Sequence, residues 1–510
     1  MYIIFLKGAF SFMAKFQVAP LFTDKMVLQR DKNICVFGTG EDGTNITVTL
    51  CGRMETTVVS GGKWKVVFPP MGACRFMSMT VEDDMDFVTF EDVAIGEVWF
   101  AGGQSNMQLE LIDSVGGKEA LEKDVTEDVR MFNMPRKTTY DEDYEEALKN
   151  AHWSDFSDKD EAAHWSAVAY HCAKLMSEYR DIVVGVINCN WGGTSLSCWT
   201  SPKYGRGEMK VWFDEYEAAV SGKTPEQAIA DYREYQKEYA KWKEKHDEYF
   251  ANTENPTDTG CYAAIGEKPP TVMAPCNPKA PSLLYQSLIK RIAPYTMQGV
   301  WWYQGENDET HPEAYYTGLT NLIRNWRTAW QDDSITFIIA QLPVYGGKDP
   351  DGDSWSIIRE AQMRVYKTIK NTGIVVLLDC GEKDILHPAD KREVGRRFAM
   401  QTLEISYGGC DGANAPIFKN AIRRGDTLEV NFDNIRAGFK LTGDPDGFEL
   451  CGEDGVYVPA YADVSGSRIF LNADGIEHPS GVRYMWKNYG EIHVFSGFNL
   501  PLAPFRIDEI

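Results

Sequence analysis

Five short runs of almost unbroken apolar residues limit what this chain can fold into more than any other feature. They are residues 98–101 (VWFA), 182–188 (IVVGVIN), 299–303 (GVWWY), 335–341 (ITFIIAQ) and 373–378 (GIVVLL). Each is short, apolar and rich in β-branched or aromatic residues, so each reads as a strand covered on both faces. Segments of helical period lie among them, at 162–179, 314–330 and 355–370. Strands that alternate with helices in this way build a parallel sheet flanked by helices, a doubly wound α/β fold.

Polar and small residues gather where the first three strands end. Residues 98–111, VWFAGGQSNMQLEL, pass from strand through Gly102 and Gly103, which tolerate a tight turn, into a helical stretch opening with Ser105. The second strand is followed by Asn190, Trp191, Gly192, Gly193 and Thr194, the third by Gln304, Gly305, Glu306 and Asn307. In a parallel sheet these connections share one edge, the crevice where ligands bind. A glycine pair lets a backbone N–H approach a substrate oxygen. The side-chain amide of Gln304 is a second candidate donor to that oxygen. Ser105 itself is either a nucleophile or a helix cap, a frequent position for serine.

A serine hydroxyl stays protonated at neutral pH and needs a base. Of the eight histidines, His387 is the best placed, because it follows the last apolar strand in DCGEKDILHPADKREVGRRF. Pro388 biases it away from the helical region and suits the first turn of the next helix. Asp384, three residues earlier, can reach the imidazole Nδ1 on a tight loop, leaving Nε2 free for the serine. The order Ser105, Asp384, His387 suits an α/β-hydrolase-type site. His311 is a rival base, since it also precedes a proline and lies near Glu306 and Asp308. Glu306 and Asp308 are a poor glycosidase pair, because two residues apart on one loop they do not flank a bond from opposite faces.

Charge and cysteine usage narrow the classes. The net charge of −23, from 75 acidic and 52 basic residues, repels phosphate backbones and anionic membranes. Neutral or uncharged substrates fit such a field better. The eleven cysteines form no C-x-x-C pair and no zinc spacing, so they read as reduced thiols, which favours the cytosol, with no metal and no organic cofactor. The apolar start MYIIFLKGAFSFMAKFQVAP lacks a basic opening; export on a cleaved leader is the alternative, and Met13 is a second possible start. No later run is long enough for a membrane span.

At 510 residues more than one domain is expected. Residues 14–92 carry short strands separated by Gly and Asp turns, as in a β-sandwich. Residues 93–409 form the α/β section, interrupted at about 205–280 by a helical insertion. There Tyr232, Tyr235, Tyr239, Trp242, His246 and Tyr249 recur at spacings of three and four, either as a packing seam or as a sugar platform. Residues 410–510 return to strands.

These blocks resemble a known family. GQSNM at 103–107, NWGGTSLSCW at 190–199, WYQGE at 302–306 and the Asp384–Pro388 stretch are similar to the sialate O-acetylesterases, SGNH-type carbohydrate esterases. LFTDKMVLQR at 21–30, VRYMWKNY at 482–489 and NLPLAPFR at 499–506 extend the likeness over nearly the whole chain. The resemblance implies an SGNH-hydrolase-like, flavodoxin-like three-layer catalytic domain with β-rich accessory regions at both ends. It implies Ser105 as nucleophile, His387 as base, Asp384 as orienter, and an oxyanion hole of the Ser105 N–H, Gly192, Gly193 and Gln304. Gln104, Asn106, Trp191 and Glu306 are expected to line the substrate cleft. The third block departs from the Gly-x-Asn-Asp of many SGNH hydrolases, which puts the side-chain oxyanion donor in question. The activity implied is removal of O-acetyl groups from sugars, sialic acid or plant polysaccharide. The competing readings are a non-catalytic carbohydrate-binding protein and a short-chain lipid or thioester hydrolase.

Overall fold

The computed structural model describes residues 15–510; the N-terminal leader question lies outside these residues. The central sheet contains β1 (Phe87–Gly103), β2 (Val129–Asn133), β3 (Val184–Asn190), β4 (Gly299–Tyr303), β5 (Thr336–Gln341) and β6 (Thr372–Val376). Its order is β2-β3-β1-β4-β5-β6, with every neighbouring pair parallel, and Trp153–Asp155 adds an antiparallel edge to β2. The five strands read from the sequence therefore lie in the order 2-1-3-4-5, a common doubly wound arrangement whose crevice opens where the winding reverses, at β1. Strand β2 was not foreseen. Its sequence VRMFN carries Arg130, which is fully buried because Asp92 pairs with its guanidinium at 2.9 Å and the Lys25 carbonyl accepts from it at 3.0 Å.

Two adjacent tryptophans show how the sheet is covered. Trp301 stacks on Trp99 at 5.3 Å and donates to Thr402 of α7 (Arg392–Tyr407). Trp302 points to the other face, as successive strand residues must, and packs edge-on against Trp199 and Trp326 of α5 (Tyr315–Trp330). Helix α2 (Ala167–Arg180) packs with α7 on the first face, and α6 (Ser354–Thr368) with α5 on the second. All five indoles are buried. Each removes roughly 200 Å² from water, on the order of 5 kcal/mol before entropy is subtracted.

Strand β1 is longer than the sheet needs. Its first half pairs antiparallel with Cys74–Glu82, and Val27–Gln29 runs parallel to it at Ala94–Gly96, so the sheet as a whole is mixed. A second N-terminal sheet joins Phe16–Val18, Ile34–Gly40 and Lys63–Phe68. At the other end of the chain, two antiparallel sheets share a core of Leu428, Val430, Phe448, Leu450 and Ile469. That core includes Val344, Ile374 and Val376 of the α/β section.

The insertion is built on α3 (Pro225–Asn252), which starts at a capping box between Thr224 and Gln227, and on α4 (Asp258–Ile265). Rings of Tyr232, Tyr235, Tyr239 and Trp242 stack in sequence, with centroids 5.9–6.0 Å apart.

Candidate active site

Strands β3 and β4 both end in register with Gly103 of β1, at Asn190 and Tyr303. This brings the three polar connections to one edge. Gly103 is required there: its φ is +133°, and a Cβ would lie 2.0 Å from the Tyr303 carbonyl oxygen. The chain then turns through Gln104 into a single helical turn, α1 (Ser105–Gln108). Ser105 does not cap it. Its Oγ lies 2.7 Å from His387 Nε2. The Ser105 and Gly193 N–H groups have no acceptor among the described residues.

His387 keeps an exposed face on the cleft. Protein crowding nonetheless strips water from the ring, and Lys391, His246, Lys268 and Lys243 add positive charge, so its pKa falls to about 4. At neutral pH the imidazole is uncharged and able to accept a proton. No carboxylate hydrogen-bonds it among the described residues. Asp384 stays on the same loop, but its carboxylate makes no bond to the ring; only its backbone carbonyl is engaged, accepting from Asp258 N at 2.9 Å. His311, the rival base, pairs instead with Glu215 at 2.7 Å and packs edge-on against Trp212.

Several expected cleft residues turn inward. Gln304 is fully buried and its amide donates to Thr194 O at 3.1 Å and Asp308 Oδ2 at 2.6 Å, so it has no proton to offer a substrate oxygen. Gln104 reaches the cleft, but its Oε1 accepts from Gln304 and from the Gly305 and Asn307 N–H groups, tying the first and third connections together. Asn106 is buried and is not a substrate contact. Its Nδ2 donates to Glu306 Oε1 at 2.7 Å and to Leu386 O at 3.1 Å, and its Oδ1 accepts from Lys391 at 2.6 Å. Burial pushes the Glu306 carboxyl up to about 7 and pulls Lys391 down to about 8. Asp308 accepts from Leu196 N, Gln304 and Trp212, and burial raises it to about 6. Glu306 and Asp308 are thus framework carboxyls rather than a glycosidase pair.

In the second connection, the Gly192 N–H is already donated to Gln108 Oε1 at 2.7 Å. Its lack of a side chain still matters, since a Cβ would lie 3.3 Å from that of Ser105. Gly193 has φ +67°, and a methyl group on it would lie 3.1 Å from Lys279 Nζ. That ammonium has no hydrogen-bond partner among the described residues. Burial first, then neighbouring Lys268, lowers it to about 8. Trp191, Gly192, Gly193, Lys279 and Glu306 line the same cleft as Ser105 and His387, a space of about 1370 Å³. The insertion contributes Tyr232, Tyr235, Tyr239 and Tyr262 to its wall. Sequence reading missed Gln108, Asp258, Lys279 and Lys391. Only Lys391 carried a local signal, lying four residues after His387. No three His, Cys, Asp or Glu side chains among the described residues converge as a metal site, and no described helix is long and apolar enough to cross a membrane.

Residues 272–404, which include Gln304, Asp384 and His387, match the family model described as carbohydrate esterase, sialic acid-specific acetylesterase. The sialate O-acetylesterase of Rattus norvegicus is 26% identical over 436 residues, covering 77% of this chain and 74% of the relative. That of Homo sapiens is 23% identical over 427 residues, covering 77% and 71%. The crystal structure of a carbohydrate acetylesterase from Xanthomonas citri superposes with a TM-score of 0.76 at 26% identity, covering 97% of this chain and 99% of that one. The chain is thus similar to the sialate O-acetylesterases over about three quarters of its length, and residues 272–404 match the sialic acid-specific acetylesterase model.

Proposed function

We propose that the protein is an SGNH-type serine esterase that removes O-acetyl groups from sugars. The observation that carries this reading is the 2.7 Å contact between Ser105 Oγ and an uncharged His387 at the end of a parallel sheet. Ser105 Oγ attacks the acetyl carbonyl carbon while its proton passes to His387 Nε2. The undonated Ser105 and Gly193 N–H groups supply the oxyanion donors, in place of Gln304. The tetrahedral species collapses, the carbon–oxygen bond to the sugar breaks, and His387 protonates the departing alcohol. Water then adds to the acetyl-enzyme, giving its proton to His387, and acetate leaves as Ser105 is restored. Ser105→Ala should lower turnover of p-nitrophenyl acetate by about three to six powers of ten. Equal turnover by the two proteins would end this reading, and no turnover by either would leave the non-catalytic binding protein standing.

One observation favours an anionic sugar over a neutral one. The chain is acidic overall, but Lys279 stands unpartnered against Gly193 in the cleft that Ser105 lines, and Lys268 and Lys243 line the same cleft. In a cleft of reduced dielectric, local charge outweighs charge spread over a distant surface. A carboxylate-bearing sugar, such as the sialic acids of the named relatives, is therefore the proposed class. Acetate release measured on O-acetylated sialic acid and on acetylated xylan should favour the former. Lys279→Met should raise KM for the anionic substrate alone; an equal effect on both would refute the assignment.

A further inference from the structure

The loop that carries His387 is held by its neighbour, Leu386, from two sides. The Leu386 N–H donates to Asp258 Oδ2 at 2.7 Å. The Leu386 carbonyl accepts from Asn106 Nδ2 at 3.1 Å. Asn106 follows Ser105 directly, so its amide links the nucleophile turn to the base loop. That amide has one orientation only, because Lys391 must donate to its oxygen while Glu306 and Leu386 must accept from its nitrogen. Asp258 comes from elsewhere, as the first residue of α4 in the insertion. Its own N–H donates to the Asp384 carbonyl at 2.9 Å, so it grips the base loop at two residues.

With no carboxylate on the imidazole, the ring's position depends on the backbone beneath it. We infer that Asp258 is a positioning residue: together with Asn106 it clamps Leu386 and thereby holds His387 Nε2 within proton-transfer reach of Ser105. The insertion is on this account part of the catalytic framework as well as a wall of the cleft. The inference rests on the serine esterase reading.

The test is hydrolysis of p-nitrophenyl acetate by the full-length chain, with active serines counted by a fluorophosphonate probe so that turnover is expressed per competent site. Asp258→Ala should lower kcat about ten- to hundredfold, since a misplacement near 1 Å costs that much, and leave KM within about twofold. Asp258→Asn keeps an oxygen for the Leu386 N–H and should retain kcat within about threefold. Asp258→Glu keeps the charge but displaces the acceptor; it should lose kcat, and it serves if the alanine variant fails to fold. Wild-type kcat in Asp258→Ala or Asp258→Glu, or equal losses in the alanine and asparagine variants, would overturn the clamp while Ser105→Ala remained inactive. Full turnover by Ser105→Ala would overturn the esterase reading and the clamp with it.

Discussion

A histidine that takes the proton of Ser105 works only while neutral, and His387 is kept neutral by desolvation and by the cations around it. Its pKa of about 4 lies below the ordinary 6.5 because both influences disfavour the charged ring. Ester turnover should therefore stay level as pH falls from about 7 to 5, then drop about tenfold per unit below 4 as the ring protonates. A pH-stat profile on a neutral ester, with stability checked at each pH, reads this directly. A limb centred near 6.5 would show that the ring is not held as described. The pair Ser105 and His387 was legible in the sequence because glycines, a proline and strand ends mark both local settings. The role given to Asp384 was not secured by its spacing. Three residues bring a carboxylate near an imidazole, yet the side chain that holds the loop is Asp258, from a segment whose path no local pattern predicts.

Strands and helices followed their periodicity closely. The stretch read as helical at 314–330 is Tyr315–Trp330, and that at 355–370 is Ser354–Thr368. The stretch read as one helix at 162–179 is Ala167–Arg180, started by the Ser166 cap, with a separate turn Lys159–Ala163 before it. The junction between β1 and β4 is tightly constrained. Gly103→Ala places a methyl group against the Tyr303 backbone, which the paired strand holds in place. It should cost at least about 1–3 kcal/mol in a urea midpoint measurement, with esterase activity falling too. Gly207→Ala, whose added carbon meets nothing within 4 Å, should leave both unchanged.

The whole molecule couples parts that the sequence presents one after another. The C-terminal sheets cover Val344, Ile374, Val376 and Leu378 of the α/β section. Arg359 of α6 is buried and donates to the Pro343, Met485 and Lys487 carbonyls, pinning the two parts together. Asn488 accepts from Trp355 N at 3.0 Å and reaches the cleft wall. A chain ending at residue 409 would return four large side chains to water. At about 1.5–3 kcal/mol each this rivals the roughly 5–15 kcal/mol that holds a folded protein together. Such a truncation should yield aggregated or unfolded protein by size-exclusion chromatography and circular dichroism. A monodisperse, active product would show that the α/β section stands alone.

The sequence by itself determined the alternation of strands and helices, the edge at which Ser105 emerges and the two residues that meet there. Those features rest on hydrophobic period, turn glycines and proline, which act over a few neighbouring residues. Tertiary structure decided which polar groups were already spent. Gln304 and Asn106 face inward, the Gly192 N–H is taken by Gln108, and Asp258 reaches a loop 128 residues away. A hydrogen bond depends on where two groups lie in space, and an amide or carboxylate looks the same in sequence whether its partner is a substrate or the protein's own backbone.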